Sequence, residues 1–140
     1  MELQDVGTGI PFVLPVLCAS TIGILARIQQ PELHLHPALQ AELADVFLSE
    51  CIENKSKLFI VETHSEHLML RLLRRIRDTE RKKPGSRDLP LKPDELAIYY
   101  FDPQVNGGTL VTKQAVTPLG DFYHDWPRGF FADRDKDLFE

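Results

Sequence analysis

The chain of 140 residues has only two cysteines, one tryptophan and no long apolar run. No hydrophobic stretch approaches the roughly 18–20 residues that span a bilayer, which excludes a transmembrane helix. No basic segment followed by an apolar run and a small-residue cleavage site opens the chain, so a cytoplasmic location is expected. Cys18 and Cys51 form no CxxC pair, and each lies in an apolar helical context. Buried free thiols in a reducing compartment are therefore expected rather than a disulfide. Positive charge is also scarce: 16 Lys and Arg stand against 21 Asp and Glu, for a net charge of −5. A whole-chain electrostatic grip on nucleic acid is thus not the default. With 43% hydrophobic and 26% charged residues, the length suits one compact domain with a single core. Collagen, coiled coil and wholesale disorder are excluded by composition.

Residues 10–20 (IPFVLPVLCAS) are apolar enough for a buried helix, although Pro15 threatens its interior. ILARI (24–28) reads as a short strand that ends at Gln29, Gln30 and Pro31. After Pro37, Leu39, Leu43, Val46, Phe47 and Cys51 recur at helical spacing, which predicts an amphipathic helix over 38–53. LFIV (58–61) is a continuous apolar run, as in a parallel strand covered on both faces. Ser65 suits the N-cap of a helix to about Arg77, with Leu68, Met69, Leu72, Leu73 and Ile76 as its buried stripe. Residues 78–94, charged and holding three prolines, read as a surface loop. LAIYYFD (96–102) and TLVTKQAV (109–116), joined by Asn106-Gly107-Gly108, read as a hairpin. The order β-α-β-α-β-β predicts an α/β domain whose first three strands lie parallel with right-handed crossovers. The aromatic tail, with Trp126 and Phe130–Phe131, is expected to clasp the domain's own sheet.

Chemistry-bearing residues gather just past two strand ends. One segment is Gln29-Gln30-Pro31-Glu32-Leu33-His34-Leu35-His36-Pro37, and the other is Glu62-Thr63-His64-Ser65-Glu66-His67. Ligands of open parallel sheets bind outside the carboxyl ends of strands, so the two clusters should face one crevice. Two chemistries suit them. His34, His36, His64, His67, Glu32 and Glu62 are metal-ligand types, although no HExxH-like spacing constrains them. Alternatively, a strand-end acid holds Mg2+ while a nearby histidine senses a γ-phosphate. The plain alternative is a pair of capped helix starts with solvated histidines. Asp121, Asp125, Asp133, Asp135 and Asp137 keep no EF-hand register. The basic cluster of Arg71, Arg74, Arg75, Arg77, Arg81, Lys82 and Lys83 suits either a solvated helix face or a phosphate-contacting patch, with Arg71, Arg74 and Arg75 on one face.

PELHLHPALQAEL resembles the Walker B and D-loop region of ABC-type P-loop ATPases, especially AAA-type bacterial ATPases related to the overcoming-lysogenisation-defect (OLD) family. FIVETHSEHL is similar to their next strand with its switch histidine, and DVGTGIPFVLPVL to their signature segment. DFYHDWPRGFF resembles the C-terminal extension, of unassigned role, carried by one subgroup. The resemblance implies a partial P-loop NTPase lobe: residues 1–103 as the C-terminal lobe of an ABC-type head, with a mostly parallel sheet and flanking helices, and 104–140 as the extension with part of the β-hairpin. It further implies that Gly7 and Gly9 let backbone approach a γ-phosphate across a dimer. By the same resemblance His64 contacts that phosphate or the attacking water, Leu35-His36-Pro37 crosses the dimer interface, and ATP and Mg2+ are the cofactors.

Three departures qualify that implication. No GxxxxGK[ST] is present, so the phosphate-wrapping loop is absent from this sequence. Gln29 and Gln30 stand at the Walker B acid positions, and amides cannot supply the charge that holds Mg2+ or takes a proton. Pro11 stands at the signature serine; Glu32 is the nearest surviving carboxylate. The expected partner is a Walker A-bearing polypeptide or second head, with the chain as a split subunit, a remnant or a fragment. The alternatives are a catalytically silent interaction scaffold and a metal-dependent hydrolase built on the histidines. Nuclease function of the Toprim type has no recognisable constellation here.

Overall fold

A computed structural model describes residues 9–82, 88–124 and 126. The element order is α1 (Gly9–Thr21), β1 (Leu25–Gln29), α2 (Pro37–Glu53), β2 (Leu58–Glu62), α3 (Glu66–Glu80), a 3-10 turn at Pro93–Glu95, β3 (Ile98–Pro103) and β4 (Thr109–Gln114). The chain divides into two compact units, Met1–Leu72 and Leu73–Glu140, where length and composition predict one; the division falls within α3.

In the first unit β1 and β2 pair in parallel, with Leu25 opposite Leu58 and Gln29 opposite Glu62. Strand side chains alternate between faces, and here one face is buried. Ala26 and Ile28 of β1, with Phe59 and Val61 of β2, join Leu35, Leu43, Ala44, Phe47 and Leu68 in one core. The Phe47 and Phe59 rings stack with centroids 5.0 Å apart. The other face of the run 58–61 is not covered as predicted: Leu58 and Ile60 remain 56% and 52% exposed. Continuous hydrophobicity located the strand, but only one of its faces has a partner among the described residues.

The helix α1 runs through Pro15 and packs Val13, Val16 and Leu17 against the core, while Leu14 and Cys18 are exposed. It is a half-buried helix, not the buried one expected, and Cys18 is not a buried thiol. Residues 43, 44, 47 and 48 supply the buried side of α2; Leu39, expected in that stripe, is 54% exposed because the buried face begins one turn later. Lys57, just before β2, is buried with its ammonium 2.6 Å from Glu50 Oε2.

The second unit holds the end of α3 and an antiparallel hairpin in which Tyr99 faces Lys113 and Phe101 faces Val111. Its turn needs positive φ at Gly107 and Gly108, which glycine adopts without a Cβ penalty. The third strand pairs with β4 as the hairpin reading expects, while the expected third parallel strand is not found: among the described residues β3 does not pair with β1 or β2. The predicted 78–94 loop also starts late, since α3 continues to Glu80, and it buries Leu91, whose N–H donates to Thr79 Oγ1 at 3.0 Å. After β4 the chain returns to α3. The Arg77 guanidinium donates to the Leu119 carbonyl at 2.7 Å and pairs with Asp121 at 3.0 Å. Trp126 packs on Phe122 and, edge-on, on Tyr100 of β3, as the clasp reading expects; Phe130 and Phe131 lie outside the described residues.

Candidate functional site at the tips of the parallel strands

The ladder continues one residue past β1, where the Gln30 N–H donates to the Glu62 carbonyl at 2.7 Å. There the chain leaves the sheet: Gln30 takes φ +47 and His34 φ +63, a left-handed conformation that costs a residue with a Cβ about 1–2 kcal/mol. Two turns follow, closed by Leu33 N–H to the Gln30 carbonyl and Leu35 N–H to the Glu32 carbonyl. Pro31 and Leu35 are buried and pin the loop to the core, leaving polar side chains at the tip.

This path brings Glu32 to the second strand's end. Its Oε1 accepts the His64 backbone N–H at 2.7 Å. A hydrogen bond to a carboxylate is charge-assisted and contributes about 1.5–3 kcal/mol. Glu32 Oε2 is buried without a hydrogen-bond partner among the described residues. Leaving such an oxygen unsatisfied costs about 1–3 kcal/mol, the kind of local cost found at binding sites.

Beyond His64, Ser65 caps α3 as expected: its Oγ accepts the Leu68 N–H at 3.0 Å. The same hydroxyl donates to Gln40 Oε1 at 2.6 Å, and Gln40 Nε2 donates to the Leu35 carbonyl at 2.9 Å. The two loops are thus tied twice, by Glu32 and by Gln40. Sequence reading did not single out Gln40. Its one signal is position: it lies in the first turn after the His-Leu-His-Pro run.

The remaining site residues sort as follows. Gln29 Nε2 donates to Glu62 Oε1 at 3.2 Å, so a carboxylate contributed by the neighbouring strand stands beside Gln29. Sequence reading had weighed Glu62 only as a metal ligand. His36 caps α2, its Nδ1 accepting the Ala38 N–H at 3.3 Å. Gly9 is the first residue of α1, and Gly7 lies outside the described residues. His34 and His36 would share a face only on an extended segment, and the turn at Glu32–Leu35 intervenes. No group of three His, Cys, Asp or Glu among the described residues is gathered to hold a metal.

The arginines are largely spent on the protein itself. Arg71 lies 3.4 Å from both Glu42 and Asp45, Arg75 is buried, and exposed Arg74 pairs with Asp78 at 3.6 Å. Among the described residues no helix is long and apolar enough to cross a membrane.

Residues 18–71 match the model of a family described as "AAA domain, putative AbiEii toxin, Type IV TA system". The matched stretch runs from the end of α1 into α3 and contains both strand tips with the Glu32–His64 and Gln40–Ser65 links. The match supports an AAA/ATPase-type family with a P-loop-like fold, consistent with the mixed α/β architecture. No curated protein and no solved structure matched the chain.

Proposed function

We propose that this chain is the C-terminal lobe of an ABC/OLD-like ATPase head, and that its strand tips contact the terminal phosphate of ATP. The observation that supports it is the 2.7 Å hydrogen bond from the His64 backbone amide to the Glu32 carboxylate, which joins the two loops that bear these residues. In this reading His64 contacts the γ-phosphate or the attacking water, Glu32 orients the loop that bears it, and Gly7, Gly9, Gln29, Gln30 and His36 line the nucleotide's approach. Residues 104–140 are read as an appended extension of unassigned role.

The residues present do not make a protein-held Mg2+ site. Gln29 and Gln30 are neutral amides, one Glu32 oxygen is taken by the His64 N–H, one Glu62 oxygen accepts the Gln29 amide, and no third acidic or imidazole group joins them among the described residues, whereas Mg2+ demands carboxylates, waters and phosphates in octahedral array. Any Mg2+ would therefore arrive on the nucleotide's phosphates, and the chain's own residues would orient and shield the reacting group.

A Walker A-bearing polypeptide or second head is the partner this reading requires. The exposed apolar face of the parallel pair, Leu25, Leu58 and Ile60, supports it, because parallel strands are almost always covered on both faces. Nucleic-acid contact through Arg71, Arg74 and Arg75 is the weaker expectation, since only Arg74 of the three is exposed. The second reading, a catalytically silent interaction scaffold, draws on the Gln29 amide and its bond to Glu62. Phosphate release from ATP by the full chain tests the proposal. The expected result is a rate equal to buffer alone, rising only when a Walker A-bearing partner is added and falling back in a His64→Ala variant. Turnover by the chain alone that depends on His64 overturns it, and so does a partner-dependent rate that ignores His64→Ala.

A further inference from the structure

We infer that Gln40 is a positioning residue that locks the His64-bearing loop to the Glu32-bearing loop, so that the two tips move as one. A chain of hydrogen bonds runs from the first turn of α3 to the first loop: Leu68 N–H to Ser65 Oγ, Ser65 O–H to Gln40 Oε1, and Gln40 Nε2–H to the Leu35 carbonyl. Leu35 N–H closes back onto the Glu32 carbonyl, and the Glu32 side chain holds the His64 amide. His64 immediately precedes Ser65, so the circuit is a closed ring.

Only a primary amide fits its middle. The position needs an acceptor toward Ser65 and a donor toward Leu35, and one Gln side chain supplies both. An ionised carboxylate there would face the Leu35 carbonyl with no proton to give. A methylene chain would leave Ser65 and the Leu35 carbonyl without this partner, and Ser65 is only 4% exposed. Bonds in such a chain polarise one another, so breaking the middle weakens both ends.

This inference rests on the proposed role of His64 for its functional meaning, but its test needs no nucleotide. Failure of ATP contact therefore leaves the ring intact, and failure of the ring leaves ATP contact to be judged separately. Amide hydrogen exchange and 1H–15N shifts of the full chain are compared for wild type, Gln40→Leu and Gln40→Glu. In Gln40→Leu the Leu35 and His64 amides should exchange about tenfold faster, equivalent to one modest hydrogen bond, while the middle of α2 is unchanged. In Gln40→Glu the same amides should be weakened at about pH 7 and recover toward wild type near pH 4, where a protonated carboxyl can donate as the amide does. Wild type measured at each pH is the reference for both variants. Unchanged Leu35 and His64 amides overturn the inference. So does a uniform loss of protection along α2 and α3 without recovery in Gln40→Glu at low pH, the mark of a merely structural residue.

Discussion

Glu32 and His64 lie 32 residues apart in sequence, yet the carboxylate of one accepts the backbone amide of the other at 2.7 Å. The bond spans the ends of two adjacent parallel strands and uses only one oxygen of the carboxylate. Replacing Glu32 by Ala removes a bond worth about 1.5–3 kcal/mol together with the cost of the unpartnered oxygen, so the net loss of stability should be about 1 kcal/mol. Glu32→Gln keeps an acceptor for His64 and should recover more than half of that loss. Urea unfolding of the two variants checks both the loss and the rescue.

A second prediction concerns Gly120, whose φ is +69 and where an added Cβ would fall on the Leu73 carbonyl oxygen of α3. Gly120→Ala should destabilise by about 2–4 kcal/mol, through left-handed strain plus a backbone clash that no rotamer relieves. Gly107 has a similar positive φ but nothing within 4 Å of such a Cβ, so Gly107→Ala should cost only about 1–2 kcal/mol. Thermal unfolding of the two variants side by side separates strain from clash.

Much of this architecture was legible in the sequence. The apolar runs at 24–28 and 58–61, the helical spacing after Pro37 and the Ser65 cap each placed an element within a few residues, because those signals are local. What failed was non-local. The Asn-Gly-Gly turn marks the β3–β4 hairpin, but nothing in LAIYYFD says whether it also joins the parallel pair, and nothing in the alternation of Leu58 and Ile60 says that their face lacks a cover. Leu39 looked like core because periodicity cannot tell where along a helix the packing begins. At the site, Glu32 and His64 were legible as strand-end residues. The role of Gln40 was not, because its two bonds exist only after the left-handed turns at Gln30 and His34 have reversed the loop.

The charge arrangement yields a third expectation. Asp45 has a side chain only 1% exposed, and Arg71 approaches it at 3.4 Å while also reaching Glu42. Arg71→Met should destabilise by about 1–3 kcal/mol, less than for a fully buried pair because Arg71 is partly solvated. Arg74→Ala, which breaks an exposed pair with Asp78, should change stability by less than about 0.5 kcal/mol. Denaturation midpoints of the two variants decide it.

The thiols supply a fourth. Burial raises the Cys51 thiol above its ordinary 9.0, only partly offset by the nearby Lys57 ammonium. A raised folded-state value means that the neutral thiol stabilises the fold below about pH 9. That contribution is lost as pH climbs through the folded value. Cys51→Ala should therefore flatten the fall in stability that sets in above about pH 9. Iodoacetamide at neutral pH should modify exposed Cys18 before Cys51, which mass spectrometry of the tryptic peptides reads directly.

Contact between the strand tips and a terminal phosphate is tested by titrating the 15N-labelled chain with Mg-ATP, and in parallel with Mg-AMP, following the His64 imidazole and backbone amide. A strand tip that meets a nucleotide's terminal phosphate should show His64 shifts with ATP that AMP does not produce, and Glu32→Gln should weaken them. Identical responses to ATP and AMP at His64, or none to either, would contradict the account.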